Sequence, residues 1–169
     1  MQEDEIVYRP IGWVHSPHRQ VKGAPIQPSG ARGVAGWLEL KPELTPGLKD
    51  LEGFSHLILI YHFHRCRGYK LQVQPFLDQR THGLFATRAP ARPNPIGLSV
   101  VRLAGVKDNR VDILDVDILD GTPLLDLKPL VPRFDLPPDE IRTGWLDQRA
   151  PAVETFKGDE RFLEKDEED

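Results

Sequence analysis

A chain of 169 residues, 39% of them hydrophobic, can bury one ordinary core without disulfides or metals, and one compact domain is expected. The single cysteine, Cys66, excludes an internal bridge, and the acidic start Met1-Gln2-Glu3-Asp4-Glu5 is unlike a signal peptide, so a reducing, cytoplasmic home is expected. No uncharged apolar run approaches the roughly 20 residues that cross a bilayer, since even Phe54 to Phe63 carries His56 and His62, and a membrane role is not expected.

The formal charge of -4 is unevenly spread. Asp159 to Asp169 holds seven acids and two bases, which leaves +1 for the body of the chain. Ile6 to Leu38 carries Arg9, Arg19, Lys22 and Arg32 with no acid, and Gly53 to Lys107 sets eight bases against Asp78 alone. A locally positive face that meets a polyanion is therefore compatible with a negative total, and so is an ordinary solvated surface.

Sixteen prolines and fourteen glycines interrupt the chain too often for long helices, so strands and ordered loops must dominate. In chain order, Ile6 to Val14 and Val34 to Leu40 read as strands. Leu44 to Leu51 reads as a short helix that Pro46 and Gly47 confine to about two turns. Phe54 to Phe63 is the clearest strand: Leu57, Leu59, Tyr61 and Phe63 face one way, Ile58 and Ile60 the other, and apolar character on both faces predicts a central position. Leu71 to Pro75, Gly83 to Thr87, Ser99 to Val106 and Arg110 to Leu119 supply further short β-rich runs, a spacing that predicts an antiparallel barrel or sandwich. Beyond Phe134 the pattern weakens, and residues 136–169 are expected to form an extended arm and acidic tail, with Asp166 to Asp169 disordered. No internal repeat is present.

Several constellations bear on chemistry. His62, His64 and Cys66 alternate, so a continuous strand would project all three from one face as a zinc chelate; no second Cys or His pair lies at finger spacing, and no metal is expected. Asp112, Asp115, Asp117, Asp120 and Asp126 miss the calcium-loop spacing and its closing Glu. No dinucleotide-binding or phosphate-loop glycine signature occurs, and no nucleophile elbow supports a serine hydrolase. Two features stand out. In Phe85 to Ser99 three prolines within six residues stiffen a loop that carries Arg88 and Arg92, planar donors for a carboxylate or phosphate. Leu119-Asp120-Gly121-Thr122-Pro123 is a turn with an acid, a flexible position and a hydroxyl.

Gly12-Trp13-Val14-His15-Ser16-Pro17, Pro25-Ile26-Gln27, Gly53-Phe54-Ser55-His56-Leu57, Phe63-His64, Phe85-Ala86-Thr87-Arg88, Arg92-Pro93-Asn94-Pro95-Ile96-Gly97-Leu98-Ser99 and Leu119-Asp120-Gly121-Thr122-Pro123 together resemble, in order and spacing, the TsaA-like or TrmO family of tRNA methyltransferases. The resemblance runs from about Ile6 to Asp135. It implies a mainly β fold, a small antiparallel TsaA-like barrel over residues 1–135 with few short helices. It implies a homodimer that binds S-adenosyl-L-methionine and methylates N6 of N6-threonylcarbamoyladenosine at position 37, in the tRNA anticodon loop. The cofactor contacts it implies are Pro25, Ile26, Gln27, His64, Arg65, Arg88, Leu98, Leu119, Asp120, Gly121 and Thr122. Ile26 stands where a basic residue is common in the family and Arg65 where Gln is common, so both are expected to contribute backbone.

Chemistry suggests roles for these positions. Ile96 and Leu98 would pack the adenine, Asp120 would accept from ribose hydroxyls, and Arg88 would neutralise a carboxylate. The attacking nitrogen must lose a proton, and His64 is the expected acceptor because an unperturbed imidazole titrates near neutrality. The 169 residues end soon after the expected barrel, so the C-terminal domain of longer family members is not expected here. Another RNA or a small molecule as methyl acceptor therefore stays open, as does a barrel that binds cofactor or RNA without catalysis.

Overall fold

The computed structural model describes residues 5–147 and 154–162. Six strands close into a barrel: β1 (Gly12–His15), β2 (Ala35–Leu40), β3 (His56–His62), β6 (Ile96–Lys107), β7 (Arg110–Leu114) and β8 (Thr122–Pro129). Two more, β4 (Gln72–Val73) and β5 (His82–Gly83), pair as a small separate ribbon. Around the barrel the order is β1-β2-β7-β6-β3-β8, and every neighbouring pair is antiparallel.

Alternation decides what fills the barrel. Leu57, Leu59 and Tyr61 of β3 point inward, where they meet Leu38, Val101, Val111, Ile113 and Leu124. Each such side chain, fully withdrawn from water, stabilises the fold by about 1.5–3 kcal/mol. β3 is hydrogen-bonded on both sides, to β6 and β8, which is the central position its two apolar faces predict. Gly97 of β6 packs directly under the Tyr61 ring, and a Cβ there would lie 2.2 Å from a ring carbon.

Strand pairing also sorts the connections. His62 pairs with Ile96, Tyr61 with Leu124, Val14 with Thr122 and Ala35 with Leu114. Segments 16–34, 63–95 and 115–121 therefore all emerge from one end of the barrel. The opposite end is closed by the tight β6–β7 turn at Asp108 and Asn109 and by the 3-10 turns Pro42–Leu48 and Leu51–Gly53.

The strand and helix boundaries differ from the sequence expectations at several places. The first strand begins at Gly12, not Ile6; Pro10 precedes it, and Ile6, Val7 and Tyr8 are exposed without strand pairing. The helix expected over Leu44 to Leu51 is two 3-10 turns, because Pro46 lies inside it. β7 stops at Leu114, since Asp115 adopts a left-handed backbone (φ 69°) that ends the strand. β6 reaches back to Ile96 and so takes the last residues of the proline-rich loop. β8 has no counterpart among the expected strands: Pro123 and Pro129 disguise a strand whose Thr122 and Leu124 are nonetheless buried. After the single helical turn α1 (Pro132–Asp135), the chain returns across the loop end as an arm. Asp166 to Asp169, and with them the expected disorder, lie outside the described residues.

Candidate functional site

The three long connections enclose a cavity of about 740 Å³ at their end of the barrel. Its first wall is segment 16–34, which contributes Pro25, Ile26 and Gln27. That segment is tied down at its start: the Ser16 amide donates to Asp120 (3.1 Å), Ser16 Oγ donates to the Ile118 carbonyl (2.6 Å), and the Asp120 amide donates to the His18 carbonyl (2.8 Å). Its middle pairs with the arm, where Gly158 exchanges backbone hydrogen bonds with Gly23 and Ala24.

The second wall comes from segment 63–95. Phe63, His64 and Arg65 turn away just beyond β3, and the His64 amide donates to the His62 carbonyl (2.9 Å). The strand therefore ends before the alternation of His62, His64 and Cys66 could place them on one face. Among the described residues no group of three His, Cys, Asp or Glu is placed to hold a metal ion. Burial, and then the neighbouring Arg65 and His62, push the His64 imidazole below its ordinary pKa, so it presents an uncharged ring to the cavity at neutral pH. Its Nδ1 lies 3.4 Å from Thr122 Oγ1.

The two arginines of the proline-rich loop divide their work. Arg92 points inward and donates to the carbonyls of Thr87 (3.0 Å) and Ala89 (3.3 Å), which stiffens the loop from within. Arg88 is exposed at the cavity and donates one bond to the Leu98 carbonyl (2.8 Å), so the two emerge beside each other. Leu98 itself is 48% exposed along this wall, with Ile96 next to it.

The third wall is segment 115–121 with the start of β8, which places Asp117, Ile118, Leu119 and Thr122 around the cavity. Asp120 and Gly121, expected at the site, are not among its lining residues. The Asp120 carboxylate is engaged elsewhere, by the Ser16 amide, the Arg19 guanidinium and, at 3.5 Å, His15 Nδ1. Gly121, with φ 75°, donates its amide to the Val14 carbonyl (2.8 Å) and sets the turn into β8.

The carboxylate that does line the cavity is Asp117. It accepts a hydrogen bond from Ser99 Oγ (2.8 Å), which in turn lies 3.0 Å from the Tyr61 hydroxyl. Burial pushes the Asp117 carboxyl up to about 6, against the opposing pull of the Ser99 hydrogen bond and the Arg88 charge. Burial likewise pushes the Tyr61 phenol far above its ordinary value, so it remains a neutral donor.

The arm completes the enclosure with Trp145, Leu146, Gly158 and Phe162. Trp145 stacks on His82 (4.4 Å between centroids) and donates from Nε1 to the Ala86 carbonyl (2.8 Å), and His82 Nε2 is 3.0 Å from the buried Asp78. Phe162 meets Phe76 edge-on at 5.1 Å. The boundary expected at residue 135 thus separates two stretches of sequence that share one cavity.

The family model for the tRNA-methyltransferase O N-terminal domain matches residues 13–136. The chain belongs to this TrmO family. It is 55% identical to a probable S-adenosyl-L-methionine-binding protein of Pyrococcus abyssi, over 94% of this chain and 85% of that protein. It is 35% identical to the mouse tRNA (adenine(37)-N6)-methyltransferase, over 81% of this chain and only 33% of the mouse protein. The crystal structure of TrmO from Pseudomonas aeruginosa matches with a TM-score of 0.70 at 39% identity, over 83% of this chain and 62% of that one. The barrel expected from the TrmO resemblance is the fold observed. Trp145, Leu146, Gly158 and Phe162 lie beyond the segment that the family model matches.

Proposed function

We propose that this protein is an S-adenosyl-L-methionine-dependent methyltransferase acting on tRNA, and that its acceptor is N6 of threonylcarbamoyladenosine at position 37. The observation that carries the reading is the cavity. It brings together nine of the eleven positions implied by the TrmO resemblance: Pro25, Ile26, Gln27, His64, Arg65, Arg88, Leu98, Leu119 and Thr122.

The residues present fit the cofactor. Ile96, Leu98, Ile118 and Leu119 offer an apolar bed for a purine, and Gln27, Thr122 and Arg88 place amide, hydroxyl and guanidinium groups around it. Arg88 is the cavity's donor for the amino-acid carboxylate, or for the threonyl carboxylate of the acceptor. When bound, the cofactor supplies an electrophilic methyl group. The chain's own task is to hold the acceptor nitrogen in line with that methyl and keep water out, which the apolar walls and the arm accomplish.

Arg65 lines the cavity and Lys70 stands exposed five residues on in the same segment, two cations suited to RNA phosphates beside an unstacked base. Phe85, 73% exposed, with Ile96 and Leu98 leaves an apolar face at the cavity rim, which in this reading a second copy of the chain covers to form the homodimer. No described helix is long and apolar enough to cross a membrane, and the proposed place of action is the cytoplasm, with the tRNA pool.

The test incubates the protein with labelled S-adenosyl-L-methionine and total tRNA from cells with and without the threonylcarbamoyl modification, then identifies the labelled nucleoside. Label on the modified adenosine, and only in the modified pool, is expected. Label in neither pool despite cofactor binding would turn the reading toward another acceptor or a non-catalytic binder.

A further inference from the structure

Among the described residues Asp117 is the only carboxylate that lines the cavity, and its backbone is pinned on both sides. The Val116 amide donates to the Val34 carbonyl (3.2 Å), and the Ile118 carbonyl accepts from Ser16 Oγ (2.6 Å). Val116 and Ile118 are themselves buried in the barrel core. A side chain held this way keeps its place while loops around it close on a ligand.

Its surroundings are unusual for a buried acid. Among the described residues it makes no ion pair, and the Arg88 guanidinium donates to the Leu98 carbonyl instead. Neutral donors support it: its own backbone amide, and in series the Tyr61 hydroxyl to Ser99 Oγ and Ser99 Oγ to Asp117 Oδ1. Such a carboxylate is oriented without being neutralised, and it gains by taking a proton.

We propose that Asp117, positioned by Ser99 and Tyr61, accepts the proton that the acceptor nitrogen must lose during methyl transfer. The proposal rests on the methyltransferase reading above. A new nitrogen–carbon bond forms as the sulfonium's carbon–sulfur bond breaks with its electron pair left on sulfur. The nitrogen–hydrogen pair stays on nitrogen, and the proton passes to a carboxylate oxygen of Asp117. A cation, a neutral N–H and a carboxylate become a neutral thioether, a methylated nitrogen and a carboxylic acid, so charge and atoms balance.

Asp117 suits this role better than His64. Taking a proton would make His64 a cation beside Arg65 and His62, and both already oppose it. Taking a proton removes an uncomfortable charge at Asp117, whose facing groups are the hydroxyls of Ser99 and Tyr61 and the more distant Arg88. A base that stays ionised at neutral pH yet titrates within reach of it is the kind general-base catalysis favours.

The experiment measures single-turnover methylation of modified tRNA at saturating cofactor, across about pH 5 to 8, together with calorimetric cofactor affinity, for wild type, Asp117→Asn, Ser99→Ala and His64→Ala. Asp117→Asn is expected to slow transfer about 100-fold or more while cofactor affinity changes less than about threefold, since a positioned base contributes on that scale. Ser99→Ala, which keeps the carboxylate but loses a bond to its charged form, is expected to move the acid limb of the rate profile to higher pH. His64→Ala is expected to leave that limb in place. Infrared titration of the free protein is expected to show one carboxyl protonating near pH 6 that Asp117→Asn abolishes.

An Asp117→Asn rate within about fivefold of wild type overturns the proposal, and so does a missing infrared signal. A cofactor affinity weakened about tenfold with an unchanged saturated rate overturns it too, by making Asp117 a cofactor contact. If wild type binds the cofactor but methylates no tRNA, the tRNA reading fails and takes this proposal with it; an active wild type with an equally active Asp117→Asn sinks the proposal alone.

Discussion

The two ends of the barrel are built to different rules. At the closed end, a tight turn and two 3-10 segments seal a core of Leu, Val and Ile, and the polar groups there serve the backbone, as when Asn109 donates to the Leu40 carbonyl (2.6 Å). At the open end three long connections and the arm surround a cavity lined by polar groups, Asp117, Arg88 and His64 among them. The difference teaches that the strands provide a rigid frame and the connections most of the cavity wall, so stability and ligand binding should respond separately to substitution.

Leu59→Ala should break the comparison if anything does, because it leaves a cavity in the barrel itself. A loss of about 2–5 kcal/mol is expected in denaturant unfolding, with cofactor affinity retained wherever the chain stays folded. A much smaller loss would mean that the core is not the source of stability.

Arg88→Ala tests the opposite case. Its guanidinium is exposed, so the melting temperature should hold, whereas cofactor or tRNA affinity should fall by about 1.5–3 kcal/mol, the range for a hydrogen bond to a charged group. Unchanged calorimetric affinity for both ligands would remove Arg88 from the site.

Asp117→Asn sharpens the contrast because it should stabilise. The folded carboxyl titrates at about 6, the unfolded one at the ordinary lower value, so above about pH 6 the native state carries a charge that burial disfavours. The Asn variant should therefore melt higher at pH 8, by about 1–2 kcal/mol after allowance for solvent reached through the cavity. That advantage should shrink as pH falls from about 6 and vanish near the unfolded carboxylate value of about 4. A variant less stable than wild type at pH 8 would show that Asp117 serves the fold.

The smallest effect is expected at Lys70. Lys70→Ala should weaken tRNA binding severalfold and lower the salt slope by about one, with cofactor affinity and melting unchanged, as for loss of a single phosphate contact. An unaltered slope would place the RNA elsewhere on the molecule.

The strands that pack on both faces were legible in the sequence because burial writes itself as a period of two: β3 declares its place through Leu57, Ile58, Leu59, Ile60 and Tyr61. β8 was not, because Pro123 and Pro129 carry the signature of a break, and only pairing with β1 and β3 makes their positions tolerable in a strand. At the site, contiguous motifs announced Pro25, Arg88 and Thr122. Asp117 was hidden in a run of aspartates that differ in environment and not in type: Asp115 beside Arg102 is held at about 2, and Asp117 two residues on is raised to about 6.

The sequence by itself determined that the chain is a proline- and glycine-punctuated β structure with a rigid arginine loop, and its motifs pointed to the TrmO family, because periodicity, turn chemistry and short motifs are local properties. Only the tertiary structure decided that Asp117 rather than Asp120 faces the cavity, that Arg92 braces the proline-rich loop while Arg88 stands exposed at the cavity, and that Trp145 and Phe162 return to close it. Those outcomes depend on which groups far apart in the chain compete for the same hydrogen bonds and the same space, and no local pattern encodes that competition.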